Sequence, residues 1–170
     1  MKKLQFILTV LVTSILFVSC SKHKGTANAE DLGKYVFGIL KDFDNITKDD
    51  YINSLLTVEE VKAFGKRNAE TLSTRTKEQI DRLEEGRYNL RMGKDYNRTK
   101  ERAQKADISW SAIKYDNYEF KEDDEDGIKT SRGKLTFKHD GKTYRVSIIS
   151  AFLEGTHTLI RIYKLNQEKE

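Results

Sequence analysis

The chain has no proline, a single cysteine and three histidines among its 170 residues. Without proline there is no proline-rich linker at which to divide it, and its length fits one domain. One cysteine cannot form an internal disulfide, so the folded part must be held together by its apolar core. There is no glycine-rich phosphate loop, no nucleophile-elbow serine and no spaced set of metal ligands. The sequence thus contains no catalytic motif, and we expect no cofactor.

The first 20 residues have the pattern of an export signal. Lys2 and Lys3 precede residues 4–18, which are almost unbroken Leu, Ile, Val and Phe, and small Ser19 stands before Cys20. This stretch is shorter than the 20 or so apolar residues that cross a bilayer. The alternative is a short N-terminal anchor helix that is retained.

The motif Phe17-Val18-Ser19-Cys20 resembles the lipobox of bacterial lipoproteins, in which the cysteine is lipidated and becomes the mature N-terminus. The resemblance implies a signal peptide over residues 1–19 and a lipid on Cys20, which anchors the protein to a membrane of the bacterial cell envelope. Residues 20–28 are then the lipidated cysteine and a flexible tether, and residues 29–170 form one domain. The polar stretch 21–27 lifts that domain by at most about 25 Å.

The net charge argues against a nucleic-acid partner. Cleavage after residue 19 removes Lys2 and Lys3, so the formal charge of +4 falls to +2, and the remaining charges are interspersed. The expected partners are the membrane, through the lipid, and either another envelope protein or a small ligand.

Helix start signals stand at Asn28, Thr47, Thr57 and Thr76. The last of these opens the longest predicted helix, residues 76–106, in which Gly86 or Gly93 predicts a break or bend. Residues 87–105 of this helix include seven basic and two acidic side chains. This segment is either a binding patch for an acidic partner or the solvated face of an amphipathic helix.

Short alternating apolar runs predict four strands, residues 113–120, 128–138, 142–152 and 157–165. Asp140-Gly141 predicts a type I′ hairpin turn, Asp126-Gly127 and Glu154-Gly155 mark the other two hairpins, and a change of phase at Asp116-Asn117 predicts a bulge. Both faces of the last two strands are apolar, so the sheet needs cover on both faces or encloses a cavity on one. The predicted fold class is α+β, with N-terminal helices packed on a curved four-stranded antiparallel meander. Its predicted core includes Leu40, Phe43, Leu83, Trp110, Phe137, Val146, Ile148 and Ile160.

The order of helices first and a curved meander last, with residues 110–115 (WSAIKY) leading into the sheet, resembles small bacterial lipoproteins of the cystatin-like or NTF2-like class. The resemblance covers about residues 29–165. It implies a long helix across a strongly bent sheet, with a ligand or substrate pocket between them. The Asp and His that enzymes of that class use have no matching motif here, so no catalytic residue is carried over.

Two functions fit the sequence. The first is a non-enzymatic binding or interaction module on the membrane surface, and the alternative is a small isomerase- or dehydratase-type enzyme with a pocket between helix and sheet. For the module, a concave aromatic surface is the expected ligand site, because tyrosine combines apolar area with a hydroxyl. The candidate ligand-binding residues are Tyr96, Tyr115, Tyr118, Tyr144 and Tyr163. The other interpretation of these rings is that they fill the core.

Overall fold

A computed structural model describes residues 24–125 and 127–168, with the backbone alone at residue 125. The chain forms an α+β fold in which an antiparallel sheet has the strand order β1-β5-β4-β3-β2. The strands are β1 Gly25–Thr26, β2 Lys114–Glu125, β3 Ile128–His139, β4 Lys142–Leu153 and β5 Thr156–Gln167. The helices are α1 Leu32–Lys41, α2 Lys48–Asn53, α3 Val58–Arg67, α4 Thr74–Asp81 and α5 Glu85–Lys105. The predicted fold class is confirmed at this level.

The four long strands follow one another through hairpins, as predicted. Asp140 and Gly141 have φ angles of 47° and 74°, the left-handed pair that a type I′ turn requires. The register of β2 against β3 shifts between Tyr115 and Asn117, so the predicted bulge is confirmed. Two further shifts interrupt the pairing of β4 with β5, and such bulges curl a sheet. Asp126, in the predicted turn between β2 and β3, lies outside the described residues.

The sheet has a fifth strand that the sequence reading missed. Gly25 and Thr26 pair with Thr158 and His157 at the edge of β5, and the Leu159 amide donates to the Lys24 carbonyl at 2.9 Å. The prediction of a flexible tether over residues 20–28 is therefore wrong for Gly25 and Thr26. Two residues are too few to show the alternation that predicts a strand. This strand forms because it pairs with β5.

Two of the four helix start signals are confirmed. The Thr47 side chain accepts from the Asp50 amide, and Thr57 forms a complete capping box with Glu60. The signal at Asn28 precedes a 3-10 turn, Ala29–Asp31, and makes no cap bond to the backbone.

The predicted helix start at Thr76 is also wrong. Helix α4 begins earlier, because the Ser73 hydroxyl accepts from the Thr76 amide at 3.1 Å. The break predicted near Gly86 is real, since α4 ends at Asp81 and α5 begins at Glu85.

The main core lies where α1, α2, α5 and the 3-10 turn Trp110–Ala112 meet one face of the sheet. Trp110 is 2% exposed, and its ring centroid lies 5.2 Å from that of Phe43 and 6.0 Å from that of Phe137. Six of the eight predicted core residues are buried, whereas Leu83 and Ile160 are half-buried. A second cluster, which includes Ala151 and Leu153, packs against α3. Ala151 and Ile148 are three residues apart on β4, in unbroken register with β3, so their side chains point to opposite faces of the sheet. Both faces are therefore covered.

The outer edge of β5 is satisfied by groups from the helical part of the chain. The hydroxyls of Tyr51 and Tyr88 donate to the carbonyls of Ile162 and Ile160, at 3.0 and 3.3 Å. The Arg102 guanidinium donates to the Leu165 carbonyl at 2.9 Å. These bonds occupy backbone groups that an exposed edge strand would offer to another chain. They also fix α5 alongside β5, which positions the site described next.

Candidate functional site

The five tyrosines expected to bind a ligand do not line one surface. Tyr96 and Tyr144 are buried in the main core. The Tyr96 hydroxyl donates to the Ile46 carbonyl at 2.7 Å, and the Tyr144 ring stacks on Phe137 with 5.7 Å between centroids. Their places agree with the alternative interpretation, in which these rings fill the core.

The other three tyrosines lie in three different places. Tyr115 is 38% exposed and meets Phe37 edge to face at 5.5 Å. Tyr118 is half-buried over Gly133, where an added Cβ would overlap its ring, so glycine there makes room for it. Tyr163 lies under the guanidinium of Arg161, 4.3 Å from its ring centroid. Tyr163 alone among the five lines the cleft described below.

A cleft of about 440 Å³ runs between α5 and the sheet, on the face opposite the main core. We call it the basic cleft, because six cationic side chains line it: Arg91, Arg98, Arg102, Arg132, Arg161 and Lys164. Among the described residues Asp95 is the one acidic side chain of its lining, and Ile149 and Leu165 contribute apolar surface. The basic segment noted in the sequence therefore faces a concave site along part of its length.

Helical periodicity explains why α5 presents these side chains together. Arg91, Asp95, Arg98 and Arg102 recur at intervals of four, three and four residues, which places them on one stripe of a helix. The adjacent stripe, with Met92, Tyr96 and Ala103, is buried in the main core. The stripe with Met92 thus packs the helix against the core, and the stripe with Arg91 lines the cleft with charged side chains.

Strand register supplies the opposite wall. Arg132 on β3 pairs with Ile149 on β4, and Ile149 pairs with Arg161 on β5. Directly paired residues point to the same face of a sheet. Two arginines therefore flank one isoleucine on the cleft side.

A buried ion pair joins the two walls. Asp95 is 5% exposed, and its two carboxylate oxygens accept from Nε of Arg161 and, at 2.9 Å, from Nη2 of Arg161. This bond to Asp95 raises the pKa of Arg161 further above its ordinary value. The pair is close to neutral, so it joins the two walls of the cleft without using the charge of Arg91 or Arg98.

The remaining cations differ in how far they are engaged. Arg102 donates to the Leu165 carbonyl and to the Asn166 side chain, and Lys164 lies 5.4 Å from the Tyr163 ring centroid. Arg91 and Arg98 are exposed and have no ion-pair partner within residues 24–125 and 127–168. They stand two helical turns apart, with the Asp95–Arg161 pair between them. An anion that entered here would meet two guanidinium groups with donors to spare.

A larger hollow of about 580 Å³ lies at the other side of the same sheet face, between α3, α4 and the hairpin ends of β3 and β4. Its walls are mainly the apolar side chains of the second cluster, among them Leu56, Phe64 and Leu153. The described residues that line it include one cation, Arg75, and one anion, Asp124. We therefore place the candidate site in the basic cleft.

Cys20, the predicted lipidation site, lies outside the described residues. Across the part of the chain that the structure describes, no cluster of His, Cys, Asp and Glu has the makings of a metal site. Within the same part, no helix combines the length and the hydropathy that crossing a membrane requires. Comparison with protein-family models, curated proteins and solved structures gives no significant match.

Proposed function

We propose that the protein is a lipoprotein of the bacterial cell envelope, anchored to a membrane through Cys20, that binds an anionic ligand or the acidic segment of a partner in the basic cleft. It acts as a binding module and performs no chemistry on the ligand. The export signal and the motif around Cys20 support the anchor. The observation that carries the binding role is the pair Arg91 and Arg98, two arginines on one stripe that have no ion-pair partner among the described residues and stand beside an already neutral ion pair.

The chemistry of the cleft favours carboxylate or phosphate groups. Guanidinium presents planar, paired N–H donors that match both anions in a bidentate manner. Ile149 and the Tyr163 ring offer apolar surface beside these donors. The ligand class we expect is therefore a small molecule or peptide side chain that joins an anionic group to an apolar part.

An isomerase or dehydratase remains the second candidate, because the cleft contains a buried carboxylate, Asp95. A general base must lie within hydrogen-bond reach of the proton that it takes from the substrate. Asp95 is only 5% exposed and both of its oxygens are held by Arg161, and this favours a structural role. Asp95→Asn separates the two functions, since it would abolish turnover by an enzyme but should strengthen anion binding by a module.

The binding role is tested with the chain from residue 20 carrying Cys20→Ser, titrated with inorganic phosphate and with citrate at low ionic strength. Arg98→Gln should weaken binding by about two- to fivefold, because an exposed charge pair contributes up to about 1 kcal/mol. Lys94→Gln is the matched control, since Lys94 lies on α5 outside the cleft. Equal losses in the two variants would show that net charge alone is responsible, and would contradict the assignment of the site.

The anchor is tested by feeding cells radiolabelled palmitate. The protein with Cys20 should incorporate label and fractionate with membranes, and Cys20→Ser should do neither. Unchanged labelling and fractionation of that variant would refute the anchor without bearing on the cleft.

A further inference from the structure

The short strand β1 fixes the point at which the chain enters the folded domain. From Lys24 onward the backbone is bonded to β5, through the Leu159 amide and the pairing of Gly25 and Thr26. The Lys24 ammonium also bonds to the Glu60 carboxylate, 3.0 Å away, at the start of α3. Three residues, 21–23, separate this fixed point from Cys20.

Gly25 is the residue that permits this attachment. A Cβ at position 25 would overlap the carbonyl oxygen of His157 on the partner strand. The two backbones therefore approach more closely than any other residue would allow. The attachment of β1 to β5 therefore requires glycine at position 25.

The length of the intervening chain then limits the height of the domain. Whatever the conformation of residues 21–23, four Cα–Cα steps span at most about 14 Å. A domain of this size has a radius of gyration of about 15 Å and so a diameter of about 40 Å. A 14 Å connection cannot reach around such a body, so the attachment point must face the lipid.

We propose that the domain rests against the headgroup layer of the membrane that holds Cys20, with one defined end toward the lipid. That end, which we call the anchor face, consists of Lys24, the start of α3 at Glu59 and Glu60, and the β4–β5 turn at Glu154. This proposal rests on the anchoring of Cys20 but is independent of what the basic cleft binds.

The charges of the anchor face are consistent with a contact that the lipid on Cys20 enforces, and not with electrostatic attraction to the membrane. Lys24 pairs with Glu60, and Arg67 pairs with Glu154 on the adjacent turn. Glu59 adds one negative charge that neither pair offsets, so the described residues of this face form no cationic patch that would seek anionic lipid. A zwitterionic headgroup layer is therefore the surface that fits it.

The opposite end of the sheet points away from the membrane. Phe152, on the strand beside His157, is ten residues along β4 from Lys142, which corresponds to about 33 Å. Glu59 and Lys142 are both exposed, and they mark the near and the far end. The difference in height is large enough to measure optically.

The experiment uses the acylated protein in phosphatidylcholine vesicles whose headgroups include an energy acceptor. A fluorophore is attached through Glu59→Cys or, separately, through Lys142→Cys; the sulfur of Cys20 is occupied by lipid. We expect strong loss of donor fluorescence at position 59 and much weaker loss at position 142. A long Gly/Ser insertion after His23 should remove most of this difference, and Gly25→Val should reduce it by releasing β1.

Each outcome bears on a different claim. Equal loss at the two positions in a protein that floats with the vesicles would overturn the orientation alone. A difference that survives the long insertion would show that the face binds lipid by itself, and would overturn placement by the anchor. A protein that does not float would refute the anchor of the proposed function, and the orientation with it.

Discussion

Replacing Asp95 with asparagine should destabilise the protein and yet increase its affinity for anions. The substitution keeps the size of the side chain but removes the charge that neutralises Arg161. Removing one member of a buried ion pair costs about 3–5 kcal/mol, because the other charge is left uncompensated. The Arg161 side chain is 16% exposed and can recruit some water, so we expect about 3 kcal/mol.

This loss is large enough for two ordinary measurements. For a domain of this length, 3 kcal/mol corresponds to a fall of about 6–12 °C in melting temperature. With a urea m-value of about 2 kcal/mol/M, the denaturation midpoint should fall by about 1.5 M. Asp44→Asn changes the charge equally at an exposed site after α1 and should leave both values nearly unchanged.

Anion binding should change in the opposite direction. For an anion held about 8 Å from the carboxylate, removing that charge contributes roughly 0.5–2 kcal/mol, depending on the effective dielectric constant. Phosphate should therefore bind at least about twofold more tightly to the Asp95→Asn protein than to the wild type. A variant that is destabilised and binds phosphate more weakly would show that the pair holds the cleft in shape and that its charge does not limit the affinity. A melting temperature like that of the wild type would show that the Asp95–Arg161 pair does not stabilise the fold.

Three further predictions concern the fold. Trp110→Ala should cost about 3–5 kcal/mol, because it opens a cavity between Phe43 and Phe137; a near-native melting temperature would contradict this. Gly133→Ala should cost about 1–3 kcal/mol, since its Cβ would overlap the Tyr118 ring, and urea denaturation measures the loss. Burial lowers the pKa of His157, and nearby Glu122 only partly opposes this. The unfolded chain therefore binds the proton more readily, so stability should fall as the pH drops below about 6.5; His157→Phe should flatten this part of the stability curve.

The sheet could be predicted from the sequence because its information is local. Asp140-Gly141 carries its own turn geometry, and the alternation of β3 and β4 sets which residues are buried. The phase change near Asp116 was enough to locate the bulge. Strand β1 was not predictable, because its reason to exist is the edge of β5, more than 130 residues further along the chain.

The candidate site, too, was predictable only where its signal was local. The basic segment of α5 was visible as composition, but its role depended on which stripe of the helix faced the sheet. The Asp95–Arg161 pair joins residues 66 positions apart, and a carboxylate among many lysines and arginines gives no local signal of burial. The tyrosines were misleading for the opposite reason. Rings suit both cores and binding surfaces, and the three-dimensional packing decides between them.

The most direct test of the basic cleft is an NMR titration of the arginine Nε–Hε signals and backbone amides with inorganic phosphate at low ionic strength. The signals of Arg91 and Arg98 should shift together, and the amide of Thr99 should move with them. Arg75 and Arg82, on α4 and at its end, should stay where they are. Shifts centred on α4, or uniform small shifts of every exposed arginine, would contradict an anion-binding site between α5 and the sheet.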